Sequence, residues 1–117
     1  MFDSGLVEPG PPAIVTDRGI VLLYNGKNGK VHPDPTLRPD VYSAGQCLLD
    51  ARDPCRLLDR TTTWFLRPDQ AHEVTGQYVA GTTFIEGLVR FNGKWLLYYG
   101  AADSFVGVAV CEKSWPG

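Results

Sequence analysis

Three carboxylates lie at positions from which a side chain could act on a substrate. Glu8 directly precedes a Pro-Gly-Pro-Pro turn, where a carboxylate can activate a water molecule or remain a solvated loop residue. Glu86 lies in an apolar run that predicts a buried strand, and a buried carboxylate needs either an arginine partner or a functional role. Asp103 follows a Gly-Ala-Ala turn, where it can bind a ligand or form an Asx turn.

The composition argues against metal, nucleic-acid and membrane functions. Cys47, Cys55 and Cys111 form no CxxC pair, and His32 and His72 lack partners at metal-ligand spacing, so we expect buried free thiols and no metal site. With 11 basic and 13 acidic residues and a net charge of −2, the chain lacks the basic patch that nucleic acid or anionic lipid requires. The absence of a signal-like N-terminus and of a long apolar run predicts a cytoplasmic protein.

Two segments of the chain share a pattern that indicates a duplicated β unit. Residues 19–26 read G-I-V-L-L-Y-N-G and residues 93–100 read G-K-W-L-L-Y-Y-G. In each copy an apolar run and a turn precede the motif, and the second turn contains Asn-Gly, the strongest short signal for a hairpin. We therefore predict an all-β chain, a single partial β-propeller unit over residues 1–117 with blade-like repeats at about 6–60 and 80–113.

The strands of this unit are too apolar for an isolated pair of blades. Residues 20–24 and 95–99 are nearly continuous apolar runs, which is typical of strands covered on both faces. Two blades alone leave open sheet faces, so we expect the isolated chain to self-associate through the leucines of these strands. These leucines are Leu22, Leu23, Leu96 and Leu97. The alternative is a generic β-meander or sandwich in which one strand motif recurs.

Four motifs resemble, in the same order, those of glycoside hydrolase family 130, the mannoside phosphorylases and β-mannosidases. They are E-P-G-P-P-A-I at residues 8–14, G-I-V-L-L-Y-N-G at 19–26, Y-S-A-G-Q-C-L-L-D at 42–50 with D-P at 53–54, and Y-Y-G-A-A-D-S at 98–104 with V-G-V-A at 106–109. The resemblance implies the C-terminal portion of a five-bladed propeller. In the longer family members the catalytic acid lies before the matched region, which implies that the isolated chain is inactive.

The resemblance also implies roles for individual residues. Family phosphorylases carry a histidine where this chain has Asn25 and a phosphate-binding lysine near the position of Glu8, and neither residue here can carry positive charge. This difference favours the hydrolase branch, with Glu8 as the base and Glu86 as the second candidate, although Lys27 could restore a cation. Asp103 matches an aspartate that binds hydroxyls of the mannose being cleaved.

Tyr42, Gln46 and Tyr78 are further candidates for contacts with the sugar, together with Asn25 and Lys27. The leading hypothesis is a fragment of a mannoside-active glycosidase that binds a β-mannoside oligosaccharide and completes its propeller with an N-terminal half or by homo-oligomerisation. No cofactor is expected, and inorganic phosphate takes part only in a phosphorylase. The alternative is a non-catalytic carbohydrate-binding or oligomerising propeller remnant. No nucleic-acid or membrane partner is expected.

Overall fold

Two antiparallel β-sheets form nearly all of the regular structure in the computed structural model, which describes residues 1–113. The first sheet contains β1 (Leu6–Pro9), β2 (Ile14–Thr16), β3 (Gly19–Lys27), β4 (Tyr42–Leu49) and β5 (Leu57–Arg60). The second contains β6 (Thr83–Phe91), β7 (Lys94–Ala101) and β8 (Phe105–Cys111). One short helix, α1 (Ala71–Val74), lies in the connection between the sheets. The prediction of an all-β chain is confirmed.

The first sheet is organised around β3. On one side, β1 pairs with the C-terminal half of β3 and β2 pairs with its N-terminal end, so β1 and β2 act as one interrupted strand. Pro11 and Pro12 cause the interruption because they have no amide hydrogen to donate to a strand ladder. Gly10 still donates its amide hydrogen to the Leu23 carbonyl at 3.1 Å, which keeps the segment beside β3. β4 pairs along the other side of β3, and β5 pairs with the outer edge of β4.

The second sheet is a meander of β6, β7 and β8 whose two turns contain residues with positive φ. Asn92 and Gly93 join β6 to β7 with φ angles of 48° and 75°, the type I′ pattern expected of an Asn-Gly pair. Ala102, Asp103 and Ser104 join β7 to β8, and the first two of these residues have φ angles of 49° and 54°. Both turns match the twist of the strands that they connect, so each allows a tight hairpin.

The two sheets meet across a small apolar core. Leu23 and Ala44 of the first sheet pack with Ile85, Leu97 and Tyr99 of the second. None of these five side chains is more than 8% exposed. Because burial of a large apolar side chain contributes about 1.5 to 3 kcal/mol, this interface is a major source of tertiary stability.

The outer face of the second sheet is apolar and open. The open face consists of Tyr98, Val106, Val108 and Val110. These side chains alternate along β7 and β8 with those that face the core, and they are 42% to 80% exposed. The leucines predicted for self-association are only partly suited to it, because Leu23 and Leu97 face the opposite sheet and are 6% and 8% exposed.

Two other sequence predictions can be compared with the fold. Within residues 1–113, no helix has the length and apolar character needed to cross a membrane. The three cysteines are free thiols, but the prediction that they are buried is wrong for two of them. Cys55 and Cys111 are exposed, whereas Cys47 is half-buried in β4.

Candidate functional site

Six polar side chains converge at one edge of the two sheets. They are Glu8, Lys27, Asp40, Tyr42, Tyr78 and Asp103, and they are called the polar cluster below. The strand register explains part of the convergence, because Lys27 of β3 lies opposite Tyr42 of β4, while Glu8 lies on β1 along the other side of β3. The loop before β4, the loop after α1 and the β7–β8 turn supply the other members. Asp40 is the member that the sequence analysis did not select.

Glu8 and Tyr42 face each other within the polar cluster. The Tyr42 hydroxyl lies near the Glu8 carboxylate, and both residues are partly buried. Burial, followed by the interaction with the nearby Glu8 carboxylate and its negative charge, raises the pKa of Tyr42 to about 12. The Tyr42 ring is held by edge-to-face contacts with Tyr78 and Phe84, at centroid distances of 5.5 and 5.6 Å. Tyr42 therefore remains a protonated donor at neutral pH and helps to orient the carboxylate.

Lys27 and Asp40 form an ion pair at the edge of the polar cluster. The Lys27 ammonium nitrogen lies 3.4 Å from Oδ1 of Asp40. The Tyr78 hydroxyl donates a hydrogen bond to the Asp40 carbonyl oxygen at 2.7 Å. Burial raises the pKa of Tyr78 although the positive charge of Lys27 opposes this rise, so Tyr78 also remains protonated at neutral pH. Lys27 is therefore already paired with a carboxylate.

The loop that carries Asp40 is fixed by Asn28, whose side chain is buried. The Asn28 amide nitrogen donates to the carbonyls of Asp34, Leu37 and Arg38 at 3.1 to 3.2 Å. Its Oδ1 accepts a hydrogen bond from the Asp34 amide at 2.8 Å. One side chain therefore satisfies several backbone groups of the loop and sets the position of Asp40.

Asp103 occupies the second position of the β7–β8 turn. Its φ of 54° is left-handed, a conformation that aspartate tolerates better than most residues. The turn is closed by the Ser104 amide, which donates to the Ala101 carbonyl at 3.0 Å, and no Asx bond of Asp103 is found among residues 1–113. Burial is the main cause of the raised pKa values of Tyr42 and Tyr78, and the charge of Asp103 is a minor one, so the carboxylate lies within electrostatic range of the polar cluster. It is exposed and accessible to a ligand.

Asn25, which was predicted to contact substrate, is instead buried between the sheets. Its side chain is 0% exposed. The amide nitrogen donates to the carbonyls of Ile85 at 3.0 Å and Pro9 at 3.3 Å, and Oδ1 accepts from the Ile85 amide at 2.7 Å. The side chain thus acts like a peptide group that links β3 to β6 and β1. It has no free donor to offer a sugar, which corrects the prediction.

Gln46 is also separated from the polar cluster. It lies on the same face of β4 as Tyr42 but four residues further along, a distance of about 13 Å in a strand. It lines an apolar groove between the sheets together with Phe65 and Trp95. The structure therefore does not bring Gln46 to the other candidates for sugar contacts.

Glu86 is exposed, so the prediction that it is buried is wrong. The β6–β7 register shifts between Ile85 and Gly87, and Glu86 is the extra residue of the resulting β-bulge. A bulge leaves one residue out of the ladder and changes the direction of its side chain. The burial that argued for a functional acid or base at Glu86 is therefore absent.

We expect Asn25→Leu to lower the free energy of unfolding by about 3 kcal/mol, because it removes three hydrogen bonds and leaves the buried Ile85 amide and carbonyl without partners. Urea denaturation of wild-type and variant proteins measures this difference. Gln46→Leu is the matched control, since its side chain faces an apolar groove, and its effect should stay within about 0.5 kcal/mol. Equal stabilities of the Asn25→Leu variant and the wild type would show that the amide link is not important.

Glu73 is a buried carboxylate that the sequence analysis did not single out. It is 2% exposed and accepts hydrogen bonds from the Tyr99 hydroxyl at 2.5 Å and from the Asp69 and Gln70 amides at 2.8 and 2.9 Å. Burial alone would raise the pKa of Glu73, but these hydrogen bonds outweigh it and lower the pKa below its ordinary value. Glu73 therefore anchors α1 to β7. The Q-x-x-E spacing at residues 70–73, a variant of the capping box, is the signal that could have found it.

Comparison with known protein families identifies the family to which the chain belongs. The model of glycoside hydrolase family 130, described as β-1,4-mannooligosaccharide phosphorylase, matches residues 1–114. The chain belongs to glycoside hydrolase family 130. The resemblance of the four sequence motifs to this family is thus confirmed over nearly the whole chain.

Several characterised or solved members of family 130 are similar to this chain. A β-1,2-mannobiose phosphorylase from Thermoanaerobacter sp. is 36% identical over 104 residues, which are 89% of this chain and 31% of that protein. A glycosyl hydrolase structure from Bacteroides ovatus is 58% identical, with a TM-score of 0.88 over 93% of this chain and 30% of that one. A second structure, from work on family 130 hydrolases that target β-1,2-mannosidic linkages in Candida mannan, is 56% identical with a TM-score of 0.90 and the same coverage.

The chain thus spans a little under a third of the length of these relatives. Solved members of family 130 are five-bladed β-propellers. The two antiparallel sheets described above therefore correspond to about two of the blades.

Proposed function

We propose that this chain is the C-terminal part of a family 130 glycosidase that hydrolyses β-mannosides. In this role it supplies residues that bind the sugar, and Glu8 acts as the base. The catalytic acid comes from a part of the propeller outside this chain. The observation that carries the proposal is the charge of the polar cluster.

The polar cluster contains three carboxylates and one cation. The carboxylates belong to Glu8, Asp40 and Asp103, and the Lys27 ammonium is within 3.4 Å of one of them. Two unit charges about 4 Å apart interact by about 1 kcal/mol in water and by several times more near a protein surface, so these carboxylates oppose the binding of phosphate. Water and the hydroxyls of a neutral sugar meet no such repulsion. The cluster therefore suits hydrolysis better than phosphorolysis.

The relatives give independent support for the hydrolase branch. This chain is 58% and 56% identical to the two solved glycoside hydrolases, but 36% identical to the β-1,2-mannobiose phosphorylase of Thermoanaerobacter. The hydrolases in one of these studies target β-1,2-mannosidic linkages. A β-1,2-linked mannoside is accordingly the substrate with which to test the proposal.

The polar cluster can supply the base and a sugar-binding carboxylate for an inverting hydrolysis. In this reaction a carboxylate takes a proton from water, the water oxygen bonds to the anomeric carbon, and a separate acid protonates the leaving oxygen. Glu8 fits the first role because it is partly buried and faces the Tyr42 hydroxyl. In this proposal the exposed Asp103 carboxylate accepts hydrogen bonds from the mannose hydroxyls, and a charged acceptor makes such bonds stronger than a neutral one.

The same proposal accounts for the open face of the second sheet. Exposed apolar surfaces of this kind usually mark an interface with another part of a protein or with a partner. The remaining blades of the propeller are the partner that fits, because the relatives are about three times as long as this chain. An N-terminal propeller half therefore covers this face and brings the acid to the polar cluster.

A grafted propeller tests the proposed function. In the graft, this chain replaces the matching third of the family 130 hydrolase whose structure it resembles with a TM-score of 0.90. The grafted propeller is expected to release mannose from β-1,2-mannobiose in phosphate-free buffer, with a rate that added phosphate does not increase. A matched control graft carries the corresponding third of the Thermoanaerobacter phosphorylase and should not support this hydrolysis.

Two outcomes of this experiment contradict the proposal. Dependence on phosphate, with mannose 1-phosphate as the product, would assign the chain to the phosphorylase branch. A folded graft that binds mannobiose without cleaving it would favour a non-catalytic carbohydrate-binding role. Circular dichroism and thermal unfolding establish that the graft is folded before its activity is interpreted.

A further inference from the structure

We propose that Asp40 determines specificity at the polar cluster by pairing with Lys27, so that the site does not bind inorganic anions such as phosphate. This inference rests on the proposed function, because it concerns the substrate class of the same site. Asp40 and Lys27 do not need to take part in bond cleavage for the inference to hold. Their effect is on which molecules can occupy the site beside Glu8.

Lys27 is the residue of the polar cluster that could attract an anion. It ends β3, directly opposite Tyr42, and its side chain is 32% exposed. An exposed ammonium beside hydroxyl groups is a suitable ligand for phosphate because it provides both charge and hydrogen-bond donors. The 3.4 Å contact with Asp40 offsets this charge and occupies one direction of approach.

Asp40 is held in place by its backbone, independently of Lys27. Its carbonyl accepts the Tyr78 hydroxyl at 2.7 Å, and its amide donates to the Asn28 carbonyl at 2.9 Å. Its φ of 63° is left-handed, which is uncommon outside glycine and is tolerated by aspartate and asparagine. A surface ion pair between two mobile residues has little effect, whereas the fixed backbone of Asp40 keeps its carboxylate within reach of the ammonium.

Because the structural contacts of Asp40 are made by its backbone, its charge can be removed by substitution without changing the conformation of the loop. Asparagine has nearly the same shape, accepts the same left-handed conformation and keeps both backbone hydrogen bonds, because neither involves the carboxylate. Asp40→Asn therefore removes one negative charge while leaving the loop in place. Lys27 then loses its ion-pair partner, and its charge is free to act on the polar cluster.

The test measures binding of inorganic phosphate to the grafted propeller by isothermal titration calorimetry. Asp40→Asn is expected to lower the phosphate dissociation constant by about tenfold, the factor expected when one repulsive unit charge is removed close to a bound anion at a protein surface. The double variant Lys27→Met/Asp40→Asn should lose this gain. Asp17→Asn is the control with the same change of net charge, since Asp17 lies in the turn at the opposite end of β3, more than about 25 Å away in an extended strand.

The inference is overturned if Asp40→Asn binds phosphate no more tightly than the wild type, or if the gain persists without Lys27. An equal gain in Asp17→Asn overturns it as well, because the effect would then reflect net charge alone. Hydrolysis of β-1,2-mannobiose is measured separately on the same proteins. A graft that shows the phosphate effect without hydrolysis refutes the proposed function and leaves the inference standing, and the reverse result refutes the inference alone.

Discussion

Glu8→Gln in the grafted propeller is expected to lower the turnover of β-1,2-mannobiose by about 10²- to 10⁴-fold, the usual contribution of a general base. Glutamine has the same size as glutamate and can still meet the Tyr42 hydroxyl with its carbonyl oxygen, but it cannot take a proton from water. The loss should therefore appear in kcat, with little change in the stability of the protein.

Two further measurements make the Glu8 experiment specific. A small anionic nucleophile such as azide is expected to restore part of the activity of Glu8→Gln, because it attacks without needing a base. Glu86→Gln is the matched comparison, since Glu86 was the second candidate and lies exposed in the bulge of β6. If Glu86→Gln loses turnover and Glu8→Gln does not, the assignment of the base is reversed.

Asp103→Asn is expected to reduce kcat/KM by about 10- to 150-fold for each sugar hydroxyl that loses a charged acceptor, which corresponds to about 1.5 to 3 kcal/mol per hydrogen bond. The ratio kcat/KM is the relevant quantity because it measures lost binding of the transition state. The turn should survive the change: asparagine tolerates the left-handed φ of 54°, and the turn is closed by the Ser104 amide.

Thermal unfolding distinguishes this loss of binding from a loss of structure. The melting temperature of Asp103→Asn should stay close to that of the wild type, and Asp17→Asn, a carboxylate change in a distant turn, should alter neither the melting temperature nor kcat/KM. Full activity of Asp103→Asn would mean that the resemblance to the sugar-binding aspartate of the family does not extend to this position.

Much of the fold follows from local features of the sequence. The Asn92-Gly93 pair specifies a type I′ hairpin because both positions require positive φ, and the structure has φ angles of 48° and 75° there. The recurring Leu-Leu-Tyr segment predicts one central strand in each sheet, since apolar side chains on both faces of a strand must be covered. Short-range sterics and the period of the apolar pattern are thus sufficient to locate the strands and turns.

The membership of the polar cluster follows only partly from the sequence. Glu8, Tyr42 and Asp103 were selected because they match family motifs, and the structure brings them together although they belong to β1, β4 and the β7–β8 turn. Asp40 and Glu73 were missed because their roles depend on contacts made by loops. The local sequence around Asp40 gives no sign of the ion pair with Lys27, which forms only when residues 28–40 fold back onto β3.

The sequence by itself therefore determined the all-β class, the hairpins, the strand positions and the family, because these depend on backbone preferences and on the order of motifs. Tertiary structure alone decided which polar side chains are accessible. The approach of β6 to β3 buries Asn25 against Ile85, and the bulge turns Glu86 outward, in each case against the prediction. The physical reason is that accessibility is a property of the packed sheets, so a residue's type and its neighbours in sequence cannot specify it.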